Sequence, residues 1–138
     1  EQSESLQPVV SWDARVLQLR YASSGDAVGY GGTHVLTRNS LIATIGVGYA
    51  DGYPRCLSGI ASAQINGHLA PIIGRISMDS MTLDVTDIPE DRICLATTVN
   101  LLGPHYDTSM MASDAGTISY EILTGLGRRP ARQYLGDR

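Results

Sequence analysis

Two tyrosines in this chain stand between small residues, a setting that could leave their hydroxyl groups available for acid–base chemistry. Tyr30 lies in the segment AVGYGGTH, and Tyr49 lies in the segment GVGYADGYPR. Because a phenol titrates at about pH 10 in water, it accepts a proton near neutral pH only beside a cation that stabilises the phenolate. The sequence therefore predicts either two functional tyrosines with a cation nearby or, alternatively, two core tyrosines whose hydroxyls bond the backbone.

Arginine is the only side chain that could supply that cation, because all ten basic residues are arginines and lysine is absent. An arginine keeps its proton at any ordinary pH, so it stabilises a phenolate without competing for the proton. For the same reason it cannot act as an amine nucleophile. The chain therefore has no side chain able to hold a cofactor through a Schiff base.

The segment GRISMDS is a third candidate for function. Arg75, Met78 and Asp79 lie there, between two predicted strands. The backbone N–H groups of such a connection can hold a carboxylate. The alternative is a tight connection with a solvated pair between Arg75 and Asp79. Tyr120, in GTISYEIL, is by itself typical of a helix residue that packs in the core.

The composition argues against several other classes of protein. The net charge is −4 and the basic residues are scattered apart from GRRPAR, whereas nucleic-acid binding needs a basic face. The three histidines lack the spacing of a metal site, so no bound metal is expected. The longest near-apolar run, LIATIGVGYA, is too short for a membrane-spanning helix of about 20 residues. Cys56 and Cys94 are expected to be free thiols in a reducing compartment.

Short β-prone runs separated by Gly, Asn and Pro predict a mainly β fold. In WDARVLQLRYA the alternation of apolar residues slips after Val16, which predicts a β-bulge or a bend at the corner of a barrel. The dipeptide Asn66-Gly67 between two apolar runs predicts a tight hairpin turn. In SMTLDVTDIP, Met81, Leu83 and Val85 alternate with polar residues and predict a strand with one buried face.

The C-terminal part has helical features. Thr117 is a candidate N-cap for a helix whose apolar face includes Ile118 and Ile122, and Gly125 or Gly127 is expected to end it. A last short strand is predicted in ARQYL. Seven or eight strands at close spacing predict one mainly β domain, a closed or nearly closed β-barrel with one or two short helices near the C-terminus.

Four sequence segments stand in a recognisable order: VGYGGT, IGVGYADGYPR, APIIGRISMD and GTISYEILTGLGRRPARQY. Together they resemble the C-terminal domain of bacterial alanine racemase, from about Leu6 to Tyr134. In that family a β/α barrel that carries pyridoxal 5'-phosphate precedes a mainly β domain, and two chains form a head-to-tail homodimer in the bacterial cytoplasm. The resemblance implies that residues 1–138 are that single β-domain, without the N-terminal barrel. The polar start EQSES without Met also suggests a piece of a longer protein.

The resemblance implies roles for three tyrosines. Tyr30 matches the base that exchanges the α-proton of the L-enantiomer, in the active site of the opposite subunit. Tyr49 matches the tyrosine at the narrow substrate entrance. Tyr120 matches the tyrosine whose hydroxyl reaches the cofactor phosphate.

The resemblance also implies roles for residues that meet the substrate. Arg55 and Arg75 match arginines that line the entrance corridor. Met78 matches the residue whose backbone N–H contacts the substrate carboxylate, and Asp79 follows it as in the family.

The implied function is half of a two-base enzyme that interconverts L- and D-alanine, for peptidoglycan or for alanine catabolism. A racemase must remove a proton from one face of the α-carbon and return one to the other. In the implied mechanism a lysine of the missing barrel, which also binds pyridoxal 5'-phosphate, serves one face and Tyr30 serves the other. The chain alone is then expected to be inactive. Two alternatives stay open: a non-catalytic β-barrel interaction module, in which Tyr30, Tyr49 and Met78 are scattered or buried, and a racemase for another amino acid.

Overall fold

Six antiparallel strands close into a barrel in the computed structural model, which describes residues 9–136 apart from the side chain of Tyr30. In order around the barrel the strands are β1 (Trp12–Ala22), β4 (Ser40–Ile45), β7 (Met81–Asp84), β6 (His68–Ile73), β5 (Ser62–Ile65) and β8 (Thr98–Leu102). The last strand pairs again with β1, so the barrel leaves no open edge. Two short strands, β2 (Ala27–Val28) and β3 (His34–Val35), form a separate pair.

Two helices follow the barrel, α1 (Thr108–Ala115) and α2 (Ser119–Gly125). The predicted fold class, a mainly β barrel with one or two short helices near the C-terminus, is therefore confirmed. No helix in the described residues is long and apolar enough to cross a membrane.

The predicted irregularity in β1 is confirmed, and it lies where the strand changes partners. The register against β4 shifts between Val16 and Gln18. Before the shift, Trp12 and Ala14 point into the core and the strand pairs with β8. After the shift the strand pairs with β4, and Leu17 is exposed. A bulge bends a strand and increases its twist, which lets β1 close the barrel by joining both neighbours.

The predicted hairpin and the predicted one-sided strand are also confirmed. Asn66 and Gly67 connect β5 to β6, and both have the positive φ of a tight hairpin turn, 47° and 83°. In β7, Met81 and Leu83 are buried, and Val85 continues the same buried face just beyond the strand. The hydrophobic alternation thus sets which side chains fill the barrel.

The barrel interior is packed with aliphatic side chains and one aromatic pair. Because the chain has no Phe, the aromatic packing comes from Trp12 and Tyr53, whose ring centroids lie 5.9 Å apart at a tilt of 58°. Burial raises the pKa of the Tyr53 phenol above its ordinary value, and the nearby carboxylate of Asp114 raises it further. Tyr53 is therefore a neutral core residue and has no place in acid–base chemistry.

The predicted N-cap Thr117 is wrong, because this residue completes the end of the preceding helix. The Thr117 N–H donates to the Ala112 carbonyl at 2.9 Å and closes the C-terminal turn of α1. The N-cap of α2 is Ile118, which is exposed, contrary to its predicted place on a buried face. The prediction that Gly125 or Gly127 ends this helix is confirmed, since α2 ends at Gly125.

The predicted last strand in ARQYL is also wrong. Residues 131–136 have no regular structure, and Tyr134 and Leu135 are among the most exposed large side chains. A strand needs an unpaired neighbour, and the six-stranded barrel has already closed. The closed barrel therefore offers no edge strand with which this segment could pair.

Leucine substitutions test which side chains fill the barrel. Leu83→Ala removes a fully buried side chain from β7 and should lower the free energy of unfolding by about 2–5 kcal/mol. Leu69→Ala in β6 is the matched control, since Leu69 is exposed, and it should cost less than about 1 kcal/mol. Chemical denaturation of the chain measures both. Equal losses would contradict the inside–outside assignment.

Candidate active site

The ends of two strands bring the predicted site segments to one end of the barrel. Both β4 and β6 pair antiparallel with β7, so they run in the same direction and finish together. Ile45, the last residue of β4, pairs with Met81, and Ile73, the last residue of β6, pairs with Thr82. The segments that follow, from residue 46 and from residue 74, therefore leave the barrel side by side.

The pair β2–β3 lies over a small hydrophobic cluster, and this position brings the segment containing Tyr30 to the same place. The cluster consists of Ala22, Val28, Leu36, Ile42 and Ile73. Val28 thus packs with the last residue of β6. The residues that follow it in the chain are held beside the segment that follows β6.

Two glycines make the contact that positions the backbone of Tyr30. A Cβ atom built on Gly29 would lie 2.7 Å from the Cα of Gly74, and one built on Gly74 would lie 2.8 Å from the Cα of Gly29. Both glycines have positive φ, 86° and 70°. Because Tyr30 and Arg75 are the next residues in the chain, their backbones lie beside each other. Tyr30 begins a short 3-10 helix, and its side chain lies outside the described part of the structure.

A second backbone crossing joins Tyr49 to Met78. A Cβ atom on Gly48 would overlap the carbonyl oxygen of Ser77, so only glycine fits there. The Tyr49 N–H donates to the Ser77 carbonyl at 3.0 Å, and the Ala50 N–H donates to the Met78 carbonyl at 2.8 Å. Tyr49 is 44% exposed and Met78 is 56% exposed. The structure therefore places both residues in adjacent, accessible loops, so Tyr49 is not the core residue of the alternative interpretation.

The backbone N–H of Met78 is a candidate donor to a bound group. Its carbonyl is used by Ala50. No acceptor for its N–H is found among residues 9–136 with their described side chains. A free backbone N–H in a loop is the kind of donor that holds a carboxylate.

Arg55 and Arg75 are both exposed at this end of the barrel. Arg55 begins a 3-10 helix, Arg55–Leu57, and the Ser58 hydroxyl donates to the Arg55 carbonyl at 2.6 Å. The same hydroxyl accepts a hydrogen bond from the Ile76 N–H at 2.9 Å. Ser58 therefore ties the turn that carries Arg55 to the segment that carries Arg75.

Asp79 is exposed next to Met78, and the sequence left open that it forms a solvated pair with Arg75. Among the ion pairs between described residues, none joins these two side chains. The alternative of a local Arg75–Asp79 pair is therefore wrong for this structure, and the Arg75 charge is not neutralised by that neighbour.

Tyr120 lies on α2 and is 76% exposed, so it is not the core residue that its helical pattern alone suggested. The end of α2 packs on the loop of Tyr49. A Cβ atom on Gly52 would overlap the Gly125 carbonyl, and the Gly127 N–H donates to the Asp51 carbonyl at 3.0 Å. The helix of Tyr120 and the loop of Tyr49 thus share one contact surface.

The sequence analysis missed Asp51, a buried carboxylate in the middle of this arrangement. Asp51 is 4% exposed. Its Oδ2 accepts a hydrogen bond from the Gly48 N–H at 3.0 Å, and its Oδ1 lies 3.4 Å from Arg129 Nε. An Asp three residues after Gly48 is a local signal for a side chain that caps a turn. The partner Arg129 has no such signal, since it is far away in the chain.

Residues 9–134 match the family model described as "Alanine racemase, C-terminal domain". This chain belongs to that family. The resemblance stated from the four sequence segments is therefore confirmed.

Named relatives agree with this assignment. "Alanine racemase, catabolic" from Rhizobium johnstonii is 51% identical over 129 residues, which are 94% of this chain and 34% of that protein. Alanine racemase from Brucella canis is 51% identical over 131 residues, which are 95% of this chain and 33% of that protein. The chain therefore spans about a third of the length of the curated relatives it matches.

Solved structures agree as well. The alanine racemase of Bartonella henselae, whose crystal structure has covalently bound pyridoxal phosphate, has a TM-score of 0.91 at 42% identity. This similarity covers 98% of this chain and 37% of that one. The biosynthetic alanine racemase of Pseudomonas aeruginosa has a TM-score of 0.88 at 35% identity, over 95% and 36% of the two chains.

A glycine substitution tests the crossing that joins Tyr49 to Met78. Gly48 has φ −146°, which alanine adopts without strain, so the cost of Gly48→Ala comes from the overlap of its Cβ with the backbone of Ser77, Met78 and Asp79. We expect a loss of about 1–3 kcal/mol of stability, the cost of forcing extra volume into a packed site. Gly125→Ala is the matched control, because a Cβ there has no neighbour within 4 Å. Thermal unfolding measures both, and equal melting temperatures would contradict the crossing.

Proposed function

We propose that this chain is the C-terminal domain of an alanine racemase that interconverts L- and D-alanine with pyridoxal 5'-phosphate, and that it completes the active site of a second subunit. The observation that carries the proposal is a pair of close backbone contacts at glycines, Gly29 with Gly74 and Gly48 with Ser77. They bring the loops of Tyr30, Tyr49, Arg75 and Met78 together in a chain of this family. The relatives that share about half of its residues are named alanine racemases.

The described residues include a donor suited to the phosphate group of pyridoxal phosphate, but no residue that could bind the cofactor covalently. The chain contains no lysine, so the covalent bond requires a residue from the remaining two thirds of a full-length enzyme. Tyr120 presents an exposed hydroxyl on α2, next to the loop of Tyr49, and would donate to the phosphate. When bound, the cofactor supplies the electron sink that makes the α-proton of an amino acid acidic.

The substrate carboxylate would bind at the segment after β6. The N–H of Met78 is directed to no acceptor among the described residues, and Arg75 and Arg55 place two positive charges at the same end of the barrel. Arginine and a backbone N–H are both strong donors to a carboxylate. The side chain of Tyr49, half exposed beside Met78, would form the wall of the entrance and limit the size of the amino acid. Asp79 would line the same entrance.

Tyr30 would move the proton on one face of the α-carbon. As a phenolate, its oxygen would accept the α-proton of the L-enantiomer, and the resulting phenol would return a proton in the reverse direction. A nearby cation lowers the pKa of a phenol and would favour the phenolate that accepts this proton. Since one base cannot easily reach both faces, the other face requires a base outside this chain. The lysine of the missing domain would take that role.

The surroundings of Tyr30 support its use by another subunit. A Cβ on Gly31 would meet only the Thr33 side chain, at 4.0 Å, so the turn is open at this position. Small residues next to Tyr30 allow the backbone of another chain to approach closely. The homodimer of the family would supply that chain.

The two alternatives from the sequence are separable. An interaction module without catalysis would have no reason to place Tyr49 and Met78 in adjacent exposed loops, so their adjacency favours the racemase. A racemase for another amino acid differs in side-chain selectivity, part of which belongs to the rest of the enzyme. A panel of L-amino acids with the full-length enzyme distinguishes these cases, and alanine should give the highest kcat/KM.

Tyr30→Phe tests the proposed base. In the full-length enzyme this change should reduce L-to-D racemisation by about 100-fold or more, the scale of lost general-base catalysis, while the cofactor absorbance is kept. Tyr21→Phe is the matched control, because it removes the hydroxyl of an exposed tyrosine that bonds Glu90. Exchange of the α-proton of L-alanine in deuterated water measures the step directly. Unchanged exchange in the Tyr30 variant would remove Tyr30 from the mechanism.

The chain by itself tests the half-enzyme proposal. Without the rest of the enzyme it should produce no D-alanine from L-alanine, because it lacks the lysine that attaches the cofactor. Addition of the separately prepared N-terminal part should restore racemisation. Production of D-alanine by the 138-residue chain alone, at a rate above free pyridoxal phosphate, would contradict this proposal.

A further inference from the structure

The loop of residues 48–52, here named the Tyr49 loop, lies between two other parts of the candidate site. On one side are Ser77 and Met78, and on the other is the segment from Gly125 to Arg129 that follows α2. The inference below rests on the proposed function, because it assigns a positioning role within that site.

Asp51 is the only charged residue of this loop, and it is buried at 4% exposure. A buried carboxylate is costly unless it is paired and hydrogen-bonded. Here the side chain accepts the Gly48 N–H at 3.0 Å and pairs with Arg129 Nε at 3.4 Å. The Asp51 carbonyl accepts the Gly127 N–H at 3.0 Å. Asp51 therefore makes one contact with the start of the loop and two contacts with the segment after α2.

The opposite side of the loop has no freedom to move independently. The N–H groups of Tyr49 and Ala50 bond the carbonyls of Ser77 and Met78, and Gly48 is in direct backbone contact with them. A shift of the Tyr49 loop would therefore shift Met78, whose N–H is the proposed carboxylate donor. The loop transmits the position of the segment after α2 to that donor.

The contacts with the segment after α2 are equally close. A Cβ on Gly52 would overlap the Gly125 carbonyl, and one on Gly127 would lie 3.2 Å from the Ala50 carbonyl. Gly125 is the last residue of α2, the helix that carries Tyr120. The loop thus connects the proposed carboxylate contact with the helix of the proposed phosphate contact.

We propose that Asp51, paired with Arg129, is a positioning residue that fixes the Tyr49 loop and the Met78 N–H relative to α2. It touches neither substrate nor cofactor. The pair keeps the contact for the substrate carboxylate and the contact for the cofactor phosphate at one separation, so that an amino acid held beside the cofactor presents its α-carbon to Tyr30. Without the pair the two ends move independently.

The test uses Asp51→Asn and Arg129→Gln in the full-length enzyme. The Asn side chain can still accept the Gly48 N–H, but it loses the charge that holds Arg129. Each variant should raise KM for alanine by roughly tenfold with a smaller change in kcat, because the carboxylate contact is made in the bound ground state. The double variant should be no worse than either single one, since both remove the same pair. Arg129→Lys keeps the charge and should fall between the wild type and Arg129→Gln.

Arg38→Gln is the matched control. Arg38 forms an exposed ion pair with Asp87 at 2.9 Å, and no hydrogen bond or ion pair between described residues joins its side chain to the Tyr49 loop. Losing this pair should leave KM for alanine unchanged. A similar rise of KM in this variant would mean that any lost arginine has the effect and would overturn the proposal.

Hydrogen exchange gives a readout that does not depend on activity. The amide hydrogens of Tyr49 and Ala50, which bond Ser77 and Met78, should exchange roughly tenfold faster in Asp51→Asn and Arg129→Gln, and those of β6 and β7 should not change. A lower melting temperature with unchanged KM and unchanged exchange would overturn the positioning role. Additive effects in the double variant would also overturn it. A wild-type enzyme without racemase activity would instead contradict the proposed function, and the exchange experiment would still decide the role of Asp51.

Discussion

Direct contact between backbones is the constraint on which the arrangement of this site depends. Gly48 lies against Ser77, and Gly29 lies against Gly74, at distances that leave no room for a side chain at any of the three glycines. Side chains in exposed loops are usually held by other side chains, which can move. Here the loops themselves are fixed by hydrogen bonds and van der Waals contact, so the residues next to the glycines begin from defined positions.

The barrel explains why these particular loops meet. Strands β4 and β6 are both neighbours of β7, and their last residues pair with consecutive residues of it. The bulge in β1 lets that strand pair with β4 and β8 in turn, which closes the barrel without an open edge. Because the barrel is closed, its strands hold one another in place, and the loops that follow β4 and β6 begin at a fixed distance from each other. Function can then be placed on loops without being lost to loop motion.

Local signals in the sequence were sufficient for much of the fold. The slip of parity after Val16 and the Asn66-Gly67 turn depend on neighbours in the chain, and both were confirmed. The errors involve competition between distant groups. Thr117 is a residue type that is common at N-caps, but its N–H already closes the C-terminal turn of α1. ARQYL has the composition of a strand, but the barrel offers it no edge. The helix or strand propensity of a segment does not show whether a hydrogen-bonding partner is available to it in the fold.

The same distinction applies to the site. The glycines beside Tyr30 and Tyr49 were a visible signal, because small residues next to a large one require a reason. The pair of Asp51 with Arg129 was not visible, since an aspartate in a turn and an arginine near the C-terminus are ordinary residues until the fold brings them together. The absence of lysine also has a structural consequence here. All ten basic residues of this chain are arginines, which stay charged beside any group they contact, so under the proposed function the domain would position charges and donors and the rest of the enzyme would attach the cofactor.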